Sequence, residues 1–231
     1  MPTDPLDPLL VALQLADSAF PSGFYTLSHS LEGYAQARAV TPDTLAALLA
    51  DLLRNGIGPG DATALALAHR AAGAGELAAA AEVDRRLYAG KLGRETRQAA
   101  TRTGRQLLDL AAEVFGGGPI AEYLQLVKER RAPGTQAVAA GIVHAAAGVP
   151  AAEAVAADLY AFAASFAGAA LRLRLTDHRK AQVLLRGAAP VIAETARAAL
   201  ARELADLGST AFAADIMSGR HERAEARLFA S

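Results

Sequence analysis

The chain contains no cysteine among its 231 residues, which excludes disulfide bonds, thiol nucleophiles and thiolate metal ligands. Its net charge at pH 7 is −1, so no overall field attracts nucleic acid or an anionic membrane. No stretch reaches about 18 consecutive apolar residues, and the first residues lack the basic and apolar regions of a secretory signal. These absences predict a cytoplasmic protein that binds neither nucleic acid nor membrane.

Motifs for the common catalytic chemistries are also lacking. No Gly-x4-Gly-Lys-Ser/Thr loop is present to hold phosphates, and no Gly-x-Ser-x-Gly elbow surrounds a serine. The five histidines are dispersed and form neither His-x3-His nor His-Glu-x2-His: His29, His69, His144, His178 and His221. We therefore predict no cofactor, no metal site and no catalytic residue.

Period-2 alternation of β-branched and aromatic residues is lacking as well, so no strand is predicted. Apolar residues instead recur at helical spacing, for example at positions 45, 48, 49, 52 and 53. We predict a single all-α bundle of roughly ten helices, with breaks at 56–60, at 116–119 and between 185 and 191. Residues 1–8 are predicted to be a flexible N-terminus, residues 9–231 one domain, and residues 219–231 a C-terminal docking tail.

Residues 20–33 are the most distinctive stretch near the N-terminus. Pro21 and Gly23 predict a turn, and Thr26 is a possible N-cap for a helix that would carry Ser28 and Glu32 at helical spacing. With His29 beside them, these side chains have two interpretations: a partner-binding surface, or the polar pocket of an all-α enzyme. A serine hydrolase is disfavoured, because adjacent helical residues point about 100° apart.

A basic stripe is predicted on the helix at about 95–115. Its members fall within about one quadrant of the helix: Arg94, Gln98, Arg102 and Arg105, together with Lys91 if the helix starts that early. Leucines 107 and 110 lie on the opposite side, so the stripe faces either solvent or a partner. A helical DNA-binding regulator is the weaker alternative, because the net charge is −1.

The last five residues, Arg227-Leu-Phe-Ala-Ser231, place a bulky apolar pair at the end of the chain. Such a pair is exposed unless it docks. The interpretations are a frayed end, or an anchor for the chain's own core or for another subunit.

Together the two terminal stretches resemble the urease accessory protein family UreF. That family carries Pro-x-Gly-Gly-Phe/Tyr-x-x-Ser-x-Gly-Leu-Glu near its N-terminus and ends in Arg-Leu-Phe-x-Ser. This chain has Pro21-Ser-Gly-Phe-Tyr-Thr-Leu-Ser-His-Ser-Leu-Glu32 and Arg227-Leu-Phe-Ala-Ser231. The run from Glu95 to Leu108 is similar to the family's middle Glu-x-Arg-x3-Ser-x3-Gly-x2-Leu-Leu helix.

The chain departs from the family pattern at three places. Phe24 replaces the second glycine of the opening motif, and Ser30 replaces the glycine before Leu-Glu. Where many members carry Pro-Leu-Gly-Gln-x2-Gly-Gln, residues 175–182 keep only the last glutamine.

The resemblance implies an all-α protein without catalytic activity, usually a homodimer. It implies assembly with UreD (also called UreH) and the GTPase UreG, in a complex that delivers nickel to apo-urease. It also places the tail near the UreD surface and the opening motif near the UreG surface. Arg227 is expected to lie on Tyr25. The predicted partner-binding residues are Tyr25, Ser28, His29, Glu32, Arg94, Arg102, Arg105, Arg227, Leu228 and Phe229.

Overall fold

The computed structural model describes residue 4, residues 6–17, residue 20 and residues 26–229. This part of the chain is all-α, as predicted, and contains no strand. Its α-helices are α1 (Asp7–Ala16), α2 (Leu31–Gln36), α3 (Leu45–Asp51), α4 (Thr63–Gly73), α5 (Leu77–Gly90), α6 (Arg94–Val114), α7 (Pro119–Lys128), α8 (Gln136–Ala146), α9 (Ala151–Arg172), α10 (His178–Ala201) and α11 (Phe212–His221). A π-helical segment, Leu52–Ala62, joins α3 to α4, and a 3₁₀ turn, Leu204–Asp206, follows α10.

The predicted break at residues 56–60 is wrong, because the helix continues through them in π-helical form. The wider π turn accommodates Pro59, which has no N–H to donate. Neighbouring groups take up the carbonyls of the segment: the Gly208 N–H donates to the Pro59 oxygen, and the Thr210 N–H donates to the Asn55 oxygen. Tertiary bonds thus compensate for a sequence that would otherwise end a helix.

The predicted break between residues 185 and 191 is also wrong, because α10 runs unbroken through Pro190. Proline removes one i→i−4 hydrogen bond and leaves the carbonyl of Arg186 without that donor. Pro190 and Arg186 are both exposed, so water can reach this side of the helix. The predicted break at 116–119 is confirmed, since α6 ends at Val114 and α7 begins at Pro119.

Helices α4, α6 and α8 form the centre of the core, and α9 packs along α10. Small side chains let these helices approach closely. A Cβ atom placed on Gly141 of α8 would lie 2.5 Å from the Leu65 carbonyl oxygen of α4, so only glycine fits at this crossing. Helix α9 is long and apolar enough to span a membrane, but more than half of its apolar stretch is buried inside the fold, as in a core helix.

A buried carboxylate joins α5, α7 and the loop before α8. Asp84 is fully buried, and its oxygens accept hydrogen bonds from the Tyr123 hydroxyl at 2.8 Å and from the Gly134 N–H at 2.7 Å. They also accept from the Thr135 N–H at 3.0 Å and from the Thr135 hydroxyl at 2.5 Å. Four donors therefore compensate for the removal of this charge from water.

Replacing Asp84 with alanine should destabilise the protein strongly, since four buried donors lose their acceptor together. We expect a loss of about 3 kcal/mol or more in the free energy of unfolding, measured by urea denaturation. Glu82→Ala is the matched control, because Glu82 lies on the same helix and its carboxylate, at the surface, pairs with the exposed Arg85 and Arg86. Similar urea midpoints for the two variants would contradict this role for Asp84.

Candidate docking site for the C-terminal tail

The opening motif ends in a turn that precedes a short helix. His29 and Ser30 have φ angles of 53° and 68°, and α2 begins only at Leu31. The prediction that Thr26 caps this helix is therefore wrong, because left-handed backbone at residues 29 and 30 separates Thr26 from it. Ser28 and Glu32 consequently do not share one helical face.

Glu32 points into the protein and meets the C-terminal tail. Its side chain lies in the core, with the residue only 3% exposed. One carboxylate oxygen accepts from the Leu228 N–H at 2.8 Å, and the other accepts from the Phe229 N–H at 3.0 Å. The buried charge is thus held by backbone donors almost two hundred residues away in the chain.

A third donor to Glu32 comes from α11. His221 is 1% exposed, and its Nε2 lies 2.8 Å from Glu32 Oε2. Its Nδ1 lies 3.4 Å from Glu95 Oε2, at the start of α6. The ring therefore faces a carboxylate on each side, with a hydrogen bond to Glu32 and a longer ion-pair contact to Glu95. The histidine joins α2, α6 and α11 in one network.

Glu95 extends this network to the tail. The Arg227 guanidinium donates to Glu95 Oε1, and the Glu95 backbone N–H donates to Glu222 Oε1 at 2.6 Å. Tyr25, the partner predicted for Arg227, lies outside the described residues. In the described part of the chain, Arg227 is paired with a carboxylate.

Phe229 anchors the end of the described tail. Its ring is buried, and the Arg172 guanidinium of α9 lies 4.3 Å from the ring centre, a cation–π geometry. The neighbouring Leu228 points outward and is 74% exposed. The tail therefore presents one side chain to the protein and the next to its surroundings.

Helix α2 can lie this close to α11 because of Gly33. A Cβ atom at this position would lie 2.5 Å from the Met217 carbonyl oxygen. The glycine that follows Glu32 thus allows the two helices of the docking site to touch.

Ser28 and His29 lie beside the docking site but do not join Glu32 in a pocket. Ser28 is fully buried, and its hydroxyl has no hydrogen-bond partner among the described residues. His29 Nε2 lies 2.9 Å from the Ser165 hydroxyl, and its ring packs on Phe162 at 4.5 Å. A cavity adjoins His29, but neither Ser28 nor Glu32 lines it.

The basic stripe on α6 is exposed at Arg94, Gln98, Arg102 and Arg105. Lys91 does not belong to it, which corrects the prediction. Lys91 lies in the linker before α6, and its Nζ donates to Asp61 at 2.8 Å. Arg102 donates to the Thr26 hydroxyl at 3.2 Å, so the stripe begins beside the opening motif.

Sequence reasoning missed two residues that complete the site, His221 and Arg172. His221 was noted only as one of five dispersed histidines, since no local spacing links it to Glu32, 189 residues away. No cluster of three His, Cys, Asp or Glu side chains suited to a metal ion occurs among the described residues.

Fold and site define an all-α protein whose C-terminal tail docks on its own N-terminal motif. The UreF family model matches residues 39–189, which is more than half of the chain. The urease accessory protein UreF of Bradyrhizobium diazoefficiens is 37% identical over 218 residues, covering 92% of this chain and 87% of that protein. UreF of Rhodopseudomonas palustris is 34% identical over 240 residues, covering 99% and 100% of the two chains.

A third relative, urease accessory protein UreF 2 of Brucella canis, is 31% identical over 221 residues, covering 96% of this chain and 91% of that protein. The chain belongs to the UreF family. It is therefore a urease accessory protein and not itself an enzyme.

Replacing Glu32 with alanine should release the tail, because the Leu228 and Phe229 amides lose a charged acceptor. Such bonds contribute about 1.5–3 kcal/mol each, so we expect the two amides to exchange with deuterium at least about tenfold faster. Glu225→Ala is the matched control, an exposed acidic residue of the same tail. Unchanged exchange in Glu32→Ala would contradict the assignment.

A second prediction concerns acid stability. Burial lowers the pKa of His29 from 6.5 to about 4, so between these values the unfolded chain binds a proton that the folded chain does not. This contribution to stability is present above pH 6.5 and falls away toward pH 4, by up to about 3 kcal/mol. His29→Gln should lose that part of the pH dependence in urea titrations.

The exposed His178→Gln variant is the control and should keep the wild-type pH dependence. A wild-type profile in His29→Gln would show that burial of His29 does not contribute to the acid sensitivity.

Proposed function

We propose that this chain is a scaffold that joins UreD (UreH) and the GTPase UreG in a complex that delivers nickel to apo-urease. Family membership supports the urease accessory role, and the docked tail carries the more specific proposal. A tail fixed by a buried carboxylate is a preorganised surface, which lowers the entropic cost of binding a partner.

The docked tail is the proposed contact for UreD. Leu228 is the exposed apolar residue of this surface, whereas Phe229 holds the tail from below. Ser28 and Glu32, predicted as partner-binding residues, are buried in this conformation. Their proposed contribution is therefore indirect: they support the surface on which the tail lies.

The exposed arginines of α6 are the proposed contact for an acidic surface of UreG. Arg94, Arg102 and Arg105 lie along one face, and this face starts next to the opening motif through the bond from Arg102 to Thr26. Charge complementarity of this kind speeds encounter between partners and fixes their orientation.

Self-association is the third part of the proposal. Helix α1 packs on α9 through its buried Ala12 and leaves an apolar face uncovered. Leu9, Leu10 and Leu13 of α1 are exposed, as are Leu6 directly before it and Tyr160 of α9. A second copy of the chain would cover this apolar face and remove its leucines from water, so we propose a homodimer. We also propose that the protein is cytoplasmic.

Co-purification with UreD tests the role of the tail. Deleting residues 227–231 should abolish capture of UreD while leaving the helical circular-dichroism signal nearly unchanged. Phe229→Ala should reduce both capture and tail protection, because it removes the anchor. Leu228→Ala should reduce capture alone, because its side chain faces outward.

Glu225→Ala serves again as the control and should bind UreD as the parent chain does. Full capture of UreD by the chain lacking residues 227–231 would count against the scaffold proposal. Capture lost in Phe229→Ala but kept in Leu228→Ala would assign the contact to another part of the docked tail.

A further inference from the structure

A cavity of about 210 Å³ lies between the π-helical segment, α5, α6, α9 and α11, next to the turn at His29 and Ser30. An engineered apolar cavity of about 150 Å³ accepts benzene, so this one has room for a somewhat larger molecule. Its walls are mostly apolar, including Leu52, Ile57, Leu87 and Phe162. Glycines of the π-helical segment also line it, so the unusual backbone there helps to form the space.

Three aspartates, Lys91 and Arg86 line the cavity, and both cations are already paired, Lys91 with Asp61 and Arg86 with Glu82. Asp61 and Lys91 form an ion pair with both side chains about one-fifth exposed, and their charges cancel. Asp158 is 9% exposed and has one oxygen bonded to the Gln136 amide at 2.8 Å. Asp215 lines the same space. Asp158 and Asp215 therefore form no ion pair among the described residues, and Lys91 acts on Asp215 only from a longer distance.

Burial makes ionisation of these two carboxyl groups less favourable, which raises their pKa values. Burial raises the pKa of Asp158 from 3.8 to about 6, and burial also raises the pKa of Asp215. A cation bound next to Asp158 would reverse this cost by stabilising the ionised form. The ring of Phe162, which also packs against His29, lines the same wall.

Residues 208–210 form a short exposed strap at the edge of the cavity. Gly208 and Ser209 are exposed on their outer side and line the cavity on the inner side. Gly208 and Thr210 tie the strap to the π-helical segment through two backbone hydrogen bonds, of 3.1 and 2.9 Å. A few hydrogen bonds at the surface open more readily than a packed helix, so the strap is a route of entry.

We propose that this cavity binds a small organic cation, with an ammonium or amidinium group on Asp158 and an apolar body against Phe162 and Leu87. An anion would face Asp158 and Asp215, while Arg86 and Lys91 on the lining are already paired with other carboxylates. A bare metal ion would lack ligands, since no group of three metal-binding side chains occurs in the described part of the chain. This inference is independent of the scaffold role.

Three compounds of matched shape test the proposal in the full-length chain: benzylammonium, benzyl alcohol and benzoate. Titration followed by ¹H–¹⁵N NMR should show benzylammonium binding at least about tenfold more tightly than benzyl alcohol, with amide shifts around residues 158 and 162, and no binding of benzoate. Failure of benzylammonium to bind at about 10 mM, or a preference for either other compound, would overturn the proposal.

Two variants assign the site. Asp158→Asn keeps an acceptor for Gln136 and should weaken benzylammonium at least about tenfold while leaving benzyl alcohol unchanged. Ala100→Leu should fill the space and weaken both compounds, since Ala100 lines the cavity. Asp109→Asn, exposed on α6, is the control and should bind as the parent does. Equal affinity of Asp158→Asn and parent for benzylammonium would refute the role of Asp158.

Discussion

The buried carboxylate of Glu32 is the interaction on which the docking site depends. An ionised carboxylate inside a protein is tolerated only when charged or hydrogen-bonding groups surround it. Here the donors are two backbone amides of the tail and one ring nitrogen of α11. The first and last parts of the chain therefore stabilise each other, and neither is satisfied alone.

This arrangement explains how the tail can be held on the protein and still leave a side chain accessible at the surface. Backbone amides provide the bonds to Glu32, so the side chains of Leu228 and Phe229 are left for other contacts. Phe229 packs inward under Arg172, whereas Leu228 points outward. His221 and Glu95 add α6 to the same network, which connects the tail to the helix that carries the exposed arginines.

The all-α architecture was predictable because helical periodicity is a local signal, and most helix bounds follow from it. The pairing of the two terminal motifs was suggested by the family resemblance. The π-helical segment and the continuity of α10 through Pro190 were not predictable, because tertiary bonds and solvation override the local effect of proline and glycine.

Within the site, the sequence indicated Glu32 and residues 227–229 but not their geometry. The left-handed turn at His29 and Ser30 directs Glu32 inward, and nothing in the residue types of that stretch requires it. His221 reaches Glu32 only in the folded chain, so its role appears once the helices are packed. Contacts across such a separation are set by the fold and not by spacing in the sequence.

The most direct test of the central claim is the NMR signature of Phe229 in the isolated chain, without any partner. If Glu32 holds the tail in place, the Phe229 ring protons should show nuclear Overhauser contacts to the Arg172 side chain, and the Leu228 and Phe229 amides should be as rigid as the helices. Random-coil shifts and high mobility at Phe229 would contradict a docked tail.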